Sequence, residues 1–245
     1  MRTPIIAGNW KMFKTVSEAK DFAAQLKPLV AGVHDRTILI CPTFTNLQDV
    51  CDIVCDSNVK VGAQNLYWED EGAFTGEISA PMIKSVGCTY VIIGHSERRQ
   101  YFGETDETVN KKVFAALKHN LIPIVCVGET LAQREQNETF KVIEKQIREG
   151  LRGLEAGSWK QIVVAYEPVW AIGTGKTATP EQAQEVHAFI RGLLPKEVAQ
   201  EIRILYGGSV KPENIKELMA KPDIDGGLVG GASLKVDSFV KLVKF

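Results

Sequence analysis

Reactive side chains occur directly after several short apolar runs of this 245-residue sequence. The carboxylate of Glu167 follows one run, the imidazole of His95 follows another, and the ammonium group of Lys11 lies just beyond a third. A glutamate is ionised at neutral pH and can accept a proton, whereas a neutral imidazole can donate a hydrogen bond to a substrate oxygen. A lysine adds a fixed positive charge that attracts an anion. Together these groups predict acid–base chemistry on a negatively charged substrate.

Donors for an anion follow the same kind of apolar run. Asn9 lies two residues before Lys11, and two glycine-rich turns, Gly207-Gly208-Ser209 and Gly230-Gly231, follow later runs. Glycine allows the backbone N–H groups to approach an anion closely, and the second turn can open a short helix whose N-terminus faces a phosphate. Each glycine pair, taken alone, is equally compatible with an ordinary tight turn.

The apolar runs themselves predict strands that are buried on both faces. Between them lie segments of helical periodicity, such as Ala19, Phe22, Ala23 and Leu26. Capping-box sequences predict helix starts at Thr15, Thr130 and Thr179, and Pro212 predicts another. The predicted strands are Ile5–Gly8, Thr37–Cys41, Val59–Ala63, Tyr90–Gly94, Ile122–Val127, Ile162–Tyr166, Arg203–Tyr206 and Gly227–Gly230.

Strand and helix therefore alternate along the whole chain, without a linker or a change of composition. Eight alternations predict one α/β domain over residues 1–245, a closed (β/α)8 barrel of eight parallel strands ringed by helices. A doubly wound open sheet is the alternative, but it normally has a glycine-rich turn after its first strand, and residues 8–11 read Gly-Asn-Trp-Lys. In a barrel the carboxyl ends of the strands share one mouth, so the reactive side chains would meet there.

Composition excludes several other classes of protein. The chain has 29 Lys and Arg against 30 Asp and Glu, a net charge of −1 without a basic stripe, so we expect no nucleic-acid partner. Its apolar runs are too short to span a membrane, and its start does not resemble a signal peptide. The five cysteines are an odd number, and Cys41, Cys88 and Cys126 lie within or beside apolar runs. We expect reduced thiols and a cytoplasmic location.

Four stretches resemble the triosephosphate isomerase family, in the right order and across essentially the whole chain. They are Ala-Gly-Asn-Trp-Lys-Met at 7–12, Gly-His-Ser-Glu-Arg-Arg at 94–99, Ala-Tyr-Glu-Pro-Val-Trp-Ala-Ile-Gly-Thr-Gly at 165–175 and Tyr-Gly-Gly-Ser-Val at 206–210. The resemblance implies a TIM barrel that works without a cofactor or a metal ion. Its substrate would be a triose phosphate, and the reaction would interconvert dihydroxyacetone phosphate and glyceraldehyde 3-phosphate in glycolysis and gluconeogenesis.

The resemblance also implies a role for each strand-end residue. Glu167 would be the base and His95 the electrophile, while Lys11 would stabilise an enediolate and Asn9 would bind the substrate oxygens. Glu97 would support Lys11 and His95, although an ion pair with Arg98 or Arg99 is an alternative for it. The residues that would hold the phosphate are Gly173, Ser209, Gly230 and Gly231.

A lid is expected directly after Glu167. It comprises Pro168, Val169, Trp170, Ala171, Ile172, Gly173, Thr174, Gly175 and Lys176, and its apolar centre suits the exclusion of water. Gly175-Lys176-Thr177 ends like a phosphate-binding P-loop, but Trp170 stands where the first glycine of that motif belongs.

A second loop, Gln64–Glu77, is long and polar for a compact barrel. The resemblance implies that Phe74 and Thr75 of this loop enter a second subunit near Lys11 and His95, which would make the protein a homodimer. The alternative is an ordinary loop on the surface of a monomer.

Two other functions remain compatible with these residues. A barrel aldolase would use a strand-end lysine for a Schiff base, and Lys11 is the candidate. A protein that binds phosphate without catalysis is the other possibility. Trapping with borohydride tests the first, and an activity assay separates the second.

Overall fold

The strands form a closed barrel in a computed structural model that describes residues 2–172 and 178–245. Eight strands lie within these residues, each parallel to the next, and the eighth returns to the first. They are β1 (Ile5–Asn9), β2 (Thr37–Cys41), β3 (Val59–Ala63), β4 (Tyr90–Ile93), β5 (Ile122–Val127), β6 (Val163–Tyr166), β7 (Arg203–Tyr206) and β8 (Gly226–Val229). This topology confirms the predicted (β/α)8 barrel.

The predicted strand limits are correct to within one residue. β4 ends at Ile93 instead of Gly94 because Gly94 has a φ angle of 74°, a left-handed conformation that leaves the extended strand. β8 begins and ends one residue earlier than predicted.

Helices follow the strands around the outside of the barrel. Those in the described residues are α1 (Val16–Val30), α2 (Leu47–Val54), α3 (Ala80–Ser85), α4 (Ser96–Tyr101), α5 (Asp106–Lys118), α6 (Leu131–Glu135), α7 (Thr139–Gly150), α8 (Ala156–Trp159), α9 (Pro180–Leu193), α10 (Ile215–Met219) and α11 (Val236–Val243). None of them is long and apolar enough to cross a bilayer.

The capping boxes predicted at Thr15, Thr130 and Thr179 are confirmed, each with both of its hydrogen bonds. The helix start predicted at Pro212 is wrong, since α10 begins only at Ile215. The intervening residues form a turn, because the Asn214 side chain accepts the Lys211 N–H at 2.8 Å and the Asn214 N–H returns to the Lys211 carbonyl at 3.1 Å.

Burial on both faces explains why the strands read as near-continuous apolar runs. One set of strand side chains fills the inside of the barrel, including Ile5, Ala7, Leu39, Cys41 and Cys126. The alternate set, including Ile6, Ile38 and Ile40, packs outward against helix residues such as Phe22 and Leu26. The two apolar layers hold the strand ends in fixed positions at the mouth.

The barrel closes where β1 meets β8, in a seam that joins the two ends of the chain. Ile5 pairs with Gly226, and a Cβ atom at Gly226 would lie 1.9 Å from the Ile5 carbonyl oxygen, so only glycine fits there. The neighbouring Asp225 carboxylate accepts from Arg191 Nη2 at 2.7 Å and from Arg2 Nε at 2.6 Å. Asp225 therefore ties α9 and the N-terminal segment to the seam.

Candidate active site

The strand ends enclose a small cavity of about 270 Å³ at the mouth of the barrel. Its lining contains Asn9, Lys11, His95, Glu167, Ser209, Gly230 and Gly231, together with Ile172, Gly207, Gly208, Val210, Lys211, Leu228 and Ala232. These residues come from five different strand ends, which meet because the strands are parallel and the barrel is closed. The geometry brings together most of the residues that the sequence singled out.

His95 lies at the N-terminus of α4, where its ring caps the helix. The Nδ1 atom accepts the Glu97 backbone N–H at 3.2 Å, and the Nε2 atom lies 3.0 Å from the Glu167 Oε1 atom. A ring nitrogen that accepts a hydrogen bond carries no proton, so the neutral ring holds its proton on Nε2, which faces the cavity. Burial lowers the pKa of His95, but the neighbouring carboxylates of Glu167 and Glu97 raise it above the usual value.

Glu167 follows β6 and is almost completely buried. Its Oε2 atom accepts the Ser96 N–H at 2.8 Å, while its own backbone N–H donates to the Val127 carbonyl at 2.7 Å. Burial would raise the pKa of Glu167, yet the His95 ring, the Ser96 N–H and the Lys11 charge hold this pKa below its ordinary value. The carboxylate is therefore ionised at neutral pH.

Lys11 stands opposite these two groups on a strained backbone. Its φ angle is 51°, and its N–H donates to the Asn9 Oδ1 atom at 3.0 Å. The Gln64 Nε2 atom donates a hydrogen bond to the Lys11 carbonyl at 2.9 Å. A non-glycine residue in this conformation needs such support, and strain of this kind is common at functional sites.

The Lys11 ammonium pairs with the carboxylate of Glu97. The alternative pairing of Glu97 with an arginine is wrong, because Arg98 Nε binds Glu104 at 2.9 Å and Arg99 Nη1 binds Asp106 at 2.6 Å.

The glycine-rich turns after β7 and β8 form the side of the cavity away from Glu97. The second turn opens a one-turn 3-10 helix, Gly231–Ser233, as the sequence suggested, and Ser233 Oγ donates to the Gly230 carbonyl at 2.7 Å. The turn packs against the stem of Lys11, since a Cβ atom at Gly230 would lie 3.3 Å from its Cε atom. Backbone groups and the lysine charge thus face the same space.

The first part of the expected lid forms a 3-10 turn over Val169–Ala171 after Pro168. Trp170 Nε1 donates to the Glu129 Oε1 atom at 2.9 Å, Ala171 is buried, and Ile172 reaches the cavity. The remaining lid residues, Gly173, Thr174, Gly175 and Lys176, lie outside the described residues.

Glu129 is a residue at this mouth that sequence reasoning missed. It is fully buried, and its carboxylate accepts from the Tyr166 hydroxyl at 3.1 Å and from Arg134 Nη1 at 3.1 Å as well as from Trp170. Glu129 lies two residues after the end of β5. A search for polar residues at the carboxyl end of every predicted strand, the pattern that identified His95 and Glu167, would have found it.

A second cavity of about 270 Å³ opens on the other side of Lys11 and His95. Exposed apolar side chains surround this region: Met12 is 92% exposed, Phe102 67% and Phe44 37%. The Gln64–Glu77 loop begins at this cavity, which Gln64 and Asn65 help to line. Further along the loop, the Phe74 ring lies 4.6 Å from the Tyr67 ring and is still 41% exposed. Thr75 is exposed beside it.

A closed barrel whose mouth holds an ionised carboxylate, an imidazole and a lysine ammonium around one small cavity defines a barrel enzyme with an acid–base site. The sequence profile described as "Triosephosphate isomerase" matches residues 4–245, and the chain belongs to the triosephosphate isomerase family.

Curated relatives match along their whole length. The triosephosphate isomerase of Endomicrobium trichonymphae is 62% identical over 248 residues, and that of Moorella thermoacetica is 61% identical over 248 residues. A third, from Trichlorobacter lovleyi, is 62% identical over 250 residues. Each match covers 100% of this chain and 99% of the relative. The chain is accordingly an isomerase.

Proposed function

We propose that the chain interconverts dihydroxyacetone phosphate and D-glyceraldehyde 3-phosphate through an enediolate, with Glu167 carrying the proton between the two carbons. The observation that supports this most directly is the buried, ionised Glu167 carboxylate, 3.0 Å from the proton-bearing nitrogen of His95. Isomerisation of a hydroxy-carbonyl compound needs a base at carbon, a donor at the two oxygens and a grip on the phosphate. The cavity offers all three.

Glu167 would act after it leaves its present partners. Both of its oxygens are now engaged, by His95 and by the Ser96 N–H, and these contacts lower its pKa. When the carboxylate turns toward the substrate and loses them while staying buried, desolvation raises its pKa and makes it a stronger base. The same movement frees the His95 Nε2–H to donate to the substrate oxygens.

His95 would work as a neutral electrophile. The Glu97 N–H occupies Nδ1. The departure of Glu167 removes the larger of the two carboxylate effects that raise the His95 pKa, and the lowering effect of burial stays. Lys11 would stabilise the developing enediolate charge, with Glu97 holding its ammonium and Asn9 adding a donor.

The phosphate would bind between the turns at Ser209 and Gly230-Gly231, with Gly173 of the lid as a further donor. The lid Pro168–Lys176 would exclude water, which matters because an exposed enediol phosphate eliminates its phosphate. Neither a cofactor nor a metal ion enters this reaction, and it belongs to glycolysis and gluconeogenesis.

The site would be completed by a second copy of the chain. The cavity beside Lys11 and His95 is ringed by exposed apolar side chains, and the Gln64–Glu77 loop presents Phe74 and Thr75 at its tip. Insertion of this loop into the partner's cavity would cover apolar surface on both sides.

The single domain over 1–245 and the cytoplasmic location stay predictions.

Turnover tests the proposal. Purified protein should convert glyceraldehyde 3-phosphate to dihydroxyacetone phosphate in a coupled assay, and sedimentation in the same buffer should give the mass of two chains. Binding of a triose phosphate without turnover would leave only a phosphate-binding protein. Borohydride trapping of a triose phosphate on Lys11 would support the aldolase alternative instead.

A further inference from the structure

The side chain of Gln146, on α7, pairs with both backbone polar groups of Gly128. Its Oε1 atom accepts the Gly128 N–H at 2.7 Å, and its Nε2 atom donates to the Gly128 carbonyl at 3.1 Å. The register of β4 on β5 ends with Ile93 opposite Val125, so Gly128 lies beyond those strand pairs. Gln146 thus supplies the pair of hydrogen bonds that a neighbouring strand would otherwise make.

The peptide held in this way lies directly against Glu167. A Cβ atom at Gly128 would be 1.8 Å from the Glu167 carbonyl oxygen and 3.3 Å from its Cα atom. On either side of this contact, the Val127 carbonyl accepts the Glu167 N–H at 2.7 Å and the Glu129 carbonyl accepts the Val169 N–H at 3.1 Å. The backbone of Glu167 therefore rests on residues 127–129.

We propose that Gln146 is a positioning residue for Glu167, acting through the peptide of Gly128. It rests on the proposed function, because it takes Glu167 to be the base. Among the described residues, Gln146 does not line the small cavity of about 270 Å³. It lines a larger cavity, of about 750 Å³, that Glu167 also borders. Gln146 would affect the reaction by fixing the position of residues 127–129, on which the position of the Glu167 carboxylate depends.

The packing of α7 on the barrel does not depend on the hydrogen bonds between Gln146 and Gly128. The helix packs through Ile143 and Ile147, which are buried, whereas Gln146 is half-buried beside the large cavity. Removal of the amide leaves the apolar face of the helix intact, and it leaves two backbone groups of Gly128 without their present partner. A change at Gln146 is therefore felt first at Gly128 and at the peptide that lies on it.

The first test is Gln146→Met, which keeps an unbranched side chain of similar length and removes both hydrogen bonds. A displacement of about 1 Å at a reacting group costs roughly 100-fold in rate, so a partial shift should lower kcat about 10-fold or more. KM should stay within about two-fold, because the turns proposed to hold the phosphate follow β7 and β8. The matched control is Lys145→Met, an exposed neighbour on the same helix, which should keep the parent kcat and KM.

A second variant, Gln146→Glu, keeps the proposal testable should the methionine variant not fold. An ionised carboxylate accepts the Gly128 N–H but repels the Gly128 carbonyl, whereas a protonated carboxyl group can form both hydrogen bonds. The loss of kcat relative to the parent should therefore shrink as the pH falls from about 8 to about 5, through the pKa of this half-buried carboxyl group. A role confined to helix packing gives no such recovery.

Two results would overturn the proposal: a folded Gln146→Met variant with the parent kcat, or a Gln146→Glu variant whose kcat relative to the parent is the same at every pH. Glu167→Asp, measured beside them, separates this outcome from failure of the proposed function. Parent-like turnover by Glu167→Asp would remove Glu167 as the base and the proposal with it. A slow Glu167→Asp beside a normal Gln146→Met would reject the role of Gln146 alone.

Discussion

The Nδ1 atom of His95 accepts the backbone N–H of Glu97, so the first turn of α4 determines which ring nitrogen carries the proton. The Nε2 atom therefore carries the proton and faces the cavity where the substrate would bind. Protonation of Nδ1 would break the hydrogen bond that caps the helix. A residue two positions along the chain therefore selects the tautomer that the proposed reaction uses.

We predict that His95→Gln keeps folding and slows turnover. The amide can still donate one hydrogen bond, but it cannot pass a proton between two substrate oxygens. Loss of a general acid–base group costs about 10²- to 10⁴-fold in rate. In deuterated water, the product of the variant should contain more deuterium from the solvent than the product of the parent enzyme. Parent-like kcat and exchange would assign His95 a purely structural role.

Glu167→Asp retracts the carboxylate by one methylene group, and we expect kcat to fall roughly 100-fold with little change in KM. Glu167→Gln removes the base altogether and should be slower still. Steady-state kinetics on both variants, with circular dichroism as the check on folding, measures this. Near-parent kcat in both would exclude Glu167 as the base.

Shortening of the Gln64–Glu77 loop around Phe74-Thr75 should give monomers that keep their helix and strand content and lose most of their kcat. The reason is that active-site geometry must hold to within about 0.5 Å, and Lys11 and His95 would lose the surface that covers them. Sedimentation, circular dichroism and kinetics on one preparation test this. Phe74→Asp, which keeps the loop length, serves as a milder companion; a fully active monomer or an unaltered dimer would contradict the prediction.

Stability should fall on acidification because His187 is buried in α9. Its Nδ1 atom lies 3.1 Å from the Asp223 carbonyl, and burial lowers its pKa to about 4 from an ordinary 6.5. The unfolded chain takes up a proton below pH 6.5 while the folded chain does not until about pH 4, so this contribution is complete above pH 6.5 and is lost between these values. The loss amounts to about 3 kcal/mol.

His187→Gln, which does not titrate, isolates this effect. Urea unfolding of parent and variant at several pH values between about 7 and 4.5 should show a shallower pH dependence in the variant. Equal slopes would mean that His187 is not responsible.

Arg191→Met should destabilise the fold by about 3 kcal/mol, because it removes the charge partner of the half-buried Asp223 and leaves the buried Asp225 with Arg2 alone. Arg191 Nε lies 2.5 Å from Asp223 and its Nη2 lies 2.7 Å from Asp225. The control is Lys20→Met, which breaks an exposed pair with Asp49 and should cost less than about 1 kcal/mol. Chemical unfolding of both variants compares them directly.

Strand positions, helix caps and the strand-end residues could be predicted because each depends on a local pattern. Apolar runs marked the strands, and the capping box at Thr15 marked the start of α1. Gln146 could not be found in this way, because its partner Gly128 is 18 residues away and a glutamine on an amphipathic helix looks like any surface residue. Pro212 was misleading since the Asn214 side chain closes a turn there before α10 begins.

The seam between β1 and β8 has a consequence for synthesis of the chain on the ribosome. Ile5 precedes its partner Gly226 by 221 residues (226 − 5), so β1 keeps one open edge until that much more of the chain has emerged. An open strand edge can pair with another chain, and translation at about 5–20 residues per second leaves that edge exposed for tens of seconds at the slow end. Slow translation of this protein therefore prolongs the period in which nascent chains can associate wrongly, and the pairing of β8 with β1 ends it.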